Sequence, residues 1–263
     1  MKGLKFGLLA VIFIVASFGL VACGSSEPAQ ETPAPAEEPA VVYVVGTDAA
    51  YPPFEKQDAE AITGFDIDII NAIAAESGFE IEVKHTGWDP LFNGIETGSV
   101  NLGISAITIT DERKLKYDFS NPYFEATQLI MVPTDSEVAT LQDLAGKKIG
   151  VQTATTGNFV VQDAFGTTYE GIKGYDDTPS AVDDLLLGRL DAVVADNAVL
   201  QEYLKVVQKD GFRLIKDASF EKEEYGIMVK KGNTELLALI NDGLEKIKAN
   251  GKYDEIFQKY FAE

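Results

Sequence analysis

Apolar and polar positions along this chain change period again and again, strand-like over a few residues and then helix-like. Residues 41–46 read as an apolar strand. Within 65–75 (FDIDIINAIAA) the apolar residues fall at helical spacing, and 79–83 is a short strand. A helix is predicted over 90–96, a strand over 100–104 and a helix start over 111–117, followed by a strand over 128–132. A second series then begins. Its strands are 148–151, 169–173, 192–195, 212–216 and 225–229, and its helices 157–165, 180–187 and 197–207. Amphipathic helices over 234–248 and 253–260 close the chain. Strands alternating with helices imply a parallel or mixed sheet covered on both faces. Two such series point to two α/β lobes.

Polar and aromatic residues gather where strands end, which is where open α/β sheets bind ligands. Asp48 and Tyr51 follow the first strand, and Trp88 follows the 79–83 strand. Ser105, Ala106, Thr108 and Arg113 follow the 100–104 strand. In the second series Gln152 to Gly157 (QTATTG) opens a helix and Asp196 follows 192–195. The stretch from Ile104 to Arg113 is the richest. Thr110 or Asp111 suits a helix N-cap, the free N–H groups of a helix start favour an anion, and Arg113 adds a planar fork for a carboxylate.

The first 22 residues carry Lys2 and Lys5, an apolar run from Phe6 to Leu20, and small residues before Cys23. That order describes an export signal. Leu20-Val21-Ala22-Cys23 resembles the lipobox of bacterial lipoproteins, in which the Cys becomes a lipidated mature N-terminus. A plain signal peptide or a membrane anchor are the alternatives, although the run is short for a span of about 20 residues. Cys23 is the single Cys of the chain, so an exported thiol here has no disulfide partner within it. Residues 23–40 then read as a lipidated Cys followed by a Pro- and Glu-rich flexible tether.

Removing Lys2 and Lys5 with the signal leaves 20 basic residues against 42 acidic, a formal charge of −22. Such a balance argues against a nucleic-acid partner. With one His and one Cys, a metal site of His and Cys ligands is excluded by count, and no Gly-x-Ser-x-Gly elbow is present. Neither a metal nor another cofactor is expected.

From residue 41 onward the chain resembles the bacterial extracellular solute-binding proteins that serve ABC importers of polar amino acids. The matching stretches run from Gly46 to Glu55 (GTDAAYPPFE), Gly64 to Asp68 (GFDID), Trp88 to Leu91, Ile107 to Lys114 (ITITDERK), Phe119 to Tyr123 and Leu190 to Asp196 (LDAVVAD). Gly87 to Phe92 (GWDPLF), Tyr123 to Gln128 (YFEATQ) and Gly150 to Gly157 (GVQTATTG) are most similar to members that take arginine and other basic amino acids.

The resemblance implies a two-lobe periplasmic-binding-protein-like fold of type II with two crossing hinge strands, near 126–129 and 224–226. Lobe 1 would comprise 41–127 plus 226–263, lobe 2 would comprise 128–225, and the cleft between them would hold the ligand. By the same resemblance Arg113 pairs with the ligand α-carboxylate, helped by backbone N–H at Thr108 and Thr156. Asp196 accepts the α-ammonium with oxygen near Ser105 and Ala106. Tyr51 and Trp88 wall the ligand side chain, and Asp48 meets its distal end. Glutamine-specific relatives place Lys and His where this chain has Gln152 and Ala195, which tilts the expectation toward arginine.

A glutamine- or other polar amino acid-binding protein of the same family is the alternative, with an arogenate- or prephenate-type dehydratase on the same fold behind it. The expected partners are the free L-amino acid, the permease and its ATPase subunit, and the membrane through the lipid anchor. The protein is expected as a non-enzymatic monomer, lipid-anchored on the extracytoplasmic side of the cell membrane.

Overall fold

In the computed structural model, residues 41–59, 61–207 and 211–262 are described. Residues 1–40, where an export signal, a lipidated Cys23 and a tether are expected, lie outside them. Two five-stranded mixed sheets organise the described chain as two lobes. The first has the order Glu80–His85, Val42–Thr47, Leu102–Gly103, Met228–Lys230, Tyr117–Phe119. The second has the order Ile172–Tyr175, Ile149–Gln152, Ala192–Asp196, Gln128–Pro133, Phe212–Ile215. In each sheet the first three strands are parallel and the fourth runs antiparallel to both neighbours.

The fourth strand of each sheet is the one reached directly from a connection between the lobes. Phe124–Ala126 and Glu223–Tyr225 pair antiparallel, with Glu223 opposite Ala126 and Tyr225 opposite Phe124. The chain therefore crosses between the sheets twice, side by side. Its C-terminal part returns to the first sheet.

The strand pattern explains the burial. In Gln128–Pro133, Leu129 and Met131 join one core cluster while Ile130 and Val132 join another. A period of two with both faces apolar is what a strand covered by helices on both sides requires. Val193 and Ala195 against Ala192 and Val194 repeat the division. In the first lobe, helix Phe65–Ser77 buries Phe65, Ile69, Ile70 and Ile73, and helices Thr234–Ala249 and Lys252–Phe261 pack against it. Gly78 ends that helix at φ 73°, the left-handed value that favours glycine, and returns its N–H to the Ala74 carbonyl.

Three expectations are corrected. Residues 225–229 do not form one strand. Tyr225 ends the crossing strand and Met228 begins a strand of the first sheet, with Gly226 between them. A Cβ on Gly226 would lie 2.8 Å from Ile109 Cδ1, so a larger residue where the chain switches sheets would have to displace the Ile109 side chain. The 169–173 strand is displaced to Ile172–Tyr175. The helix after Thr110 stops at Lys116, because Tyr117 enters the sheet edge.

Candidate ligand-binding site

One cavity of about 20 Å³ brings together all ten residues singled out in the sequence, Asp48, Tyr51, Trp88, Ser105, Ala106, Thr108, Arg113, Gln152, Thr156 and Asp196, together with Thr155. Their shared position follows from the fold. Asp48 and Tyr51 leave the end of Val42–Thr47, and Ser105 to Thr108 leave the end of Leu102–Gly103. Gln152 and Asp196 end the facing strands of the second sheet. Carboxyl ends of both sheets thus face one cleft.

Arg113 is 9% exposed. The Thr110 hydroxyl accepts the Arg113 backbone N–H at 3.1 Å, which makes Thr110 the N-cap. The guanidinium donates through Nη1 to the Thr108 carbonyl (2.8 Å) and through Nη2 to the Ala154 carbonyl (3.3 Å). Its Cζ lies 5.3 Å from the Trp88 ring centroid and 5.4 Å from that of Phe92, both within cation–π range. Burial lowers its pKa to about 10, opposed by the charges of Glu223 and Asp196. Trp88 Nε1 also donates to the Ala154 carbonyl (3.2 Å), tying its indole to the second lobe.

Asp196 is the buried anion of the second lobe. Its Oδ2 accepts from the hydroxyls of Tyr51 (2.8 Å) and Tyr225 (2.6 Å), and Gln128 Nε2 donates to its Oδ1. Burial first, then repulsion from Glu223, raises its pKa to about 6, and the three donors hold it from rising further. Asp48 is a second buried carboxylate. Its backbone N–H donates to Ser105 Oγ (2.9 Å), and Gln152 Nε2 donates to its Oδ2 (2.9 Å). Burial pushes its pKa up, against the Gln152 bond and the nearby His85. His85 Nδ1 is 3.9 Å from Asp48 Oδ1 but accepts the Ala49 N–H at 3.0 Å.

Four residues escaped sequence reasoning. Glu223 accepts from the hydroxyls of Thr108 (2.6 Å) and Thr156 (2.8 Å) and from Gln128 Nε2 (2.9 Å), linking both lobes through a crossing strand. Its signal was faint, an alternation in which Glu223 shares a strand face with fully buried Tyr225. Gln128 and Tyr225 reach Asp196 from the same crossing region. Phe92 sits four residues after Trp88, one turn further along the same helix face.

The site therefore sets one buried cation from the first lobe against a buried carboxylate from the second, with Asp48 as a further anion. A zwitterion with a cationic side chain has the complementary three charges. The cavity has room for about one water, and the Tyr51–Asp196, Trp88–Ala154, Arg113–Ala154 and Gln152–Asp48 hydrogen bonds close it across the lobes.

The description "bacterial extracellular solute-binding proteins, family 3" matches residues 43–263. A probable histidine-binding protein of Neisseria gonorrhoeae is 38% identical over 257 residues, covering 97% of this chain and 95% of its own length. The arginine-binding extracellular protein ArtP of Bacillus subtilis is 31% identical over 264 residues, with 98% of each chain covered. The crystal structure of the arginine-, lysine-, histidine-binding protein ArtJ from Geobacillus stearothermophilus superposes with a TM-score of 0.82 at 46% identity, covering 85% of this chain and 96% of that one. With its two lobes, its crossing strands and a match over nearly all of the described chain, the protein belongs to the bacterial extracellular solute-binding proteins, family 3.

Proposed function

We propose that the protein captures a free L-amino acid with a cationic side chain, arginine foremost, and delivers it without turnover to the permease and ATPase subunit of an ABC importer. The observation that carries this reading is the charge order around one cavity, with buried Arg113 and Asp196 on facing lobes and Asp48 beside them. Arg113 would hold the α-carboxylate with the backbone N–H groups of Thr108 and Thr156. Asp196 and the Ser105–Ala106 turn would hold the α-ammonium, Tyr51 and Trp88 would flank the side chain, and Asp48 would meet its cation. Guanidinium is less strongly hydrated than ammonium, so it is the easier cation to bury against Asp48.

Binding requires the lobes, 41–127 with 226–263 and 128–225, to part at the crossing strands and close again, a hinge motion. The names of the relatives, histidine-, arginine- and lysine-binding, support the class of ligand. Cys23 would carry the lipid that anchors a monomer on the extracytoplasmic side of the membrane, leaving the tether free to bring it to the permease.

A thermal-shift panel of the purified domain against the common amino acids tests the reading. Arginine should raise the unfolding midpoint most, followed by lysine and histidine, since a ligand bound only by the folded state stabilises it by mass action. A panel in which no amino acid shifts the midpoint overturns it. Steady consumption of arogenate or prephenate would move the protein to a dehydratase.

A further inference from the structure

Two carboxyl groups outside the cavity have no place in the binding scheme. Glu55 and Asp66 lie in stretches that carry the family resemblance, GTDAAYPPFE and GFDID, and both are fully buried. Glu55 Oε1 accepts from the Ser105 hydroxyl at 2.7 Å. Asp66 Oδ2 accepts from the Ala106 backbone N–H at 2.7 Å and from the Tyr123 hydroxyl at 2.8 Å. The remaining oxygens, Glu55 Oε2 and Asp66 Oδ1, have no donor among the described residues, and the two carboxyl groups are within hydrogen-bonding reach of each other.

Two ionised carboxylates cannot satisfy that arrangement. Neither brings a hydrogen, and a buried pair of like charges drives one member to keep its proton. A single proton shared by the two carboxyl groups supplies the donor that neither has when ionised. The titratable neighbours facing the pair are Asp48 at the end of the first strand and Tyr123, with Tyr253 behind it. Burial, then the charge of Asp66, pushes Glu55 well above the usual carboxyl range.

What the pair touches gives it a role. Ser105 and Ala106 are held from behind by Glu55 and Asp66 and line the cavity in front. Ala106 sits at φ 46°, a conformation a non-glycine residue keeps only when its surroundings enforce it. The Ser105 hydroxyl, donating to Glu55, accepts the backbone N–H of Asp48, so the hydrogen-bond chain continues to the anion beside the cavity.

We propose that Glu55 and Asp66 share one proton, carried by Glu55 because Asp66 already accepts two donors against one for Glu55, and that this pair positions the Ser105–Ala106 turn for the ligand ammonium. The role in positioning rests on the amino-acid-binding reading above; the shared proton does not.

Infrared spectroscopy and binding together test it. Wild-type protein at neutral pH should show a carboxylic-acid carbonyl band that disappears in Glu55→Gln. A spectrum without that band, or one in which it survives the substitution, overturns the shared proton whether or not any ligand binds. Glu55→Gln supplies a permanent N–H donor and a carbonyl acceptor, so its arginine affinity should stay within about threefold of wild type. Glu55→Leu supplies neither and should lose at least about tenfold, with circular dichroism checking that it folds. At alkaline pH wild type should lose affinity relative to Glu55→Gln; titration of the ligand's own ammonium is common to both and cancels in the ratio. Glu55→Gln as weak as Glu55→Leu, Glu55→Leu as tight as wild type, or a ratio that stays flat through complete loss of the acid band would each overturn the positioning role. If wild type binds no amino acid, the proposed function fails and the infrared result still decides the proton.

Discussion

Replacing Arg113 with Ala removes the one cation that the first lobe contributes to the cavity lining. Its burial already costs free energy. Even with the attraction of Glu223 and Asp196, its pKa is lowered to about 10, a net cost of about 3 kcal/mol for keeping the guanidinium charged before a ligand arrives. Two carbonyls and two aromatic faces also contact the guanidinium. A ligand carboxylate would complete the compensation. Without Arg113 that carboxylate is buried with only neutral donors, a loss of about 2–5 kcal/mol, or about 30-fold to several-thousand-fold in Kd. Folding should suffer far less, because the lost hydrogen bonds are balanced by removal of a buried charge. Arg113→Lys keeps the charge but not the fork and should fall between Ala and wild type. Isothermal calorimetry against arginine, with thermal unfolding of each ligand-free variant, reads both quantities. An Arg113→Ala protein that binds arginine within about threefold of wild type would refute the role given to this residue.

Asp196→Asn should abolish measurable arginine binding yet raise the ligand-free unfolding midpoint, since a pKa raised from 3.8 to about 6 means that ionised Asp196 destabilises the fold by up to about 3 kcal/mol. The same shift fixes the pH dependence. The folded state holds this proton more tightly than the unfolded chain, so its contribution to stability is full below 3.8 and lost as pH rises through about 6. Ligand ammonium favours the ionised form, so arginine affinity should instead rise toward pH 6 and then level off, with proton release visible by calorimetry in buffers of different ionisation enthalpy. Asp48→Asn should narrow the preference for arginine over glutamine, whereas Phe92→Leu, acting through the Arg113 grip that every amino acid needs, should weaken both by the same factor, about 2–5-fold for one cation–π contact. Cys23→Ser should release the protein from the membrane or leave its precursor uncleaved, checked by fractionation and mass spectrometry; an unmodified Cys23 in mature membrane-extracted protein contradicts the anchor.

The core strands were legible because their residues obey one local rule. Gln128–Pro133 and Ala192–Asp196 are apolar runs that must be covered on both faces, and the fold covers them so. The cavity residues were legible through motifs at strand ends, a position that the α/β architecture turns into a cleft. Glu223 was not. It stands in a charged run, Glu221 to Glu224, that reads as solvated surface, and only the pairing of two crossing strands carries it between the lobes. Gln128 and Tyr225 were hidden for the same reason. The small sheet of Ala50–Tyr51, Glu55–Gln57 and Ile62–Thr63 has strands of two and three residues, too short to show a period. Asp66 looks locally like an ordinary acid in the first turn of a helix. Its burial against Glu55 is a tertiary fact.

The central claim is that the cavity is matched to three charges, those of an amino-acid backbone and of a cationic side chain. Calorimetric titration of residues 41–263 with arginine and with glutamine tests it most directly. Arginine should saturate the protein at the lower concentration, by about tenfold or more, because Asp48 meets a charge in one ligand and a neutral amide in the other. Glutamine binding as tightly as arginine, or more tightly, would contradict the account of the side-chain subsite.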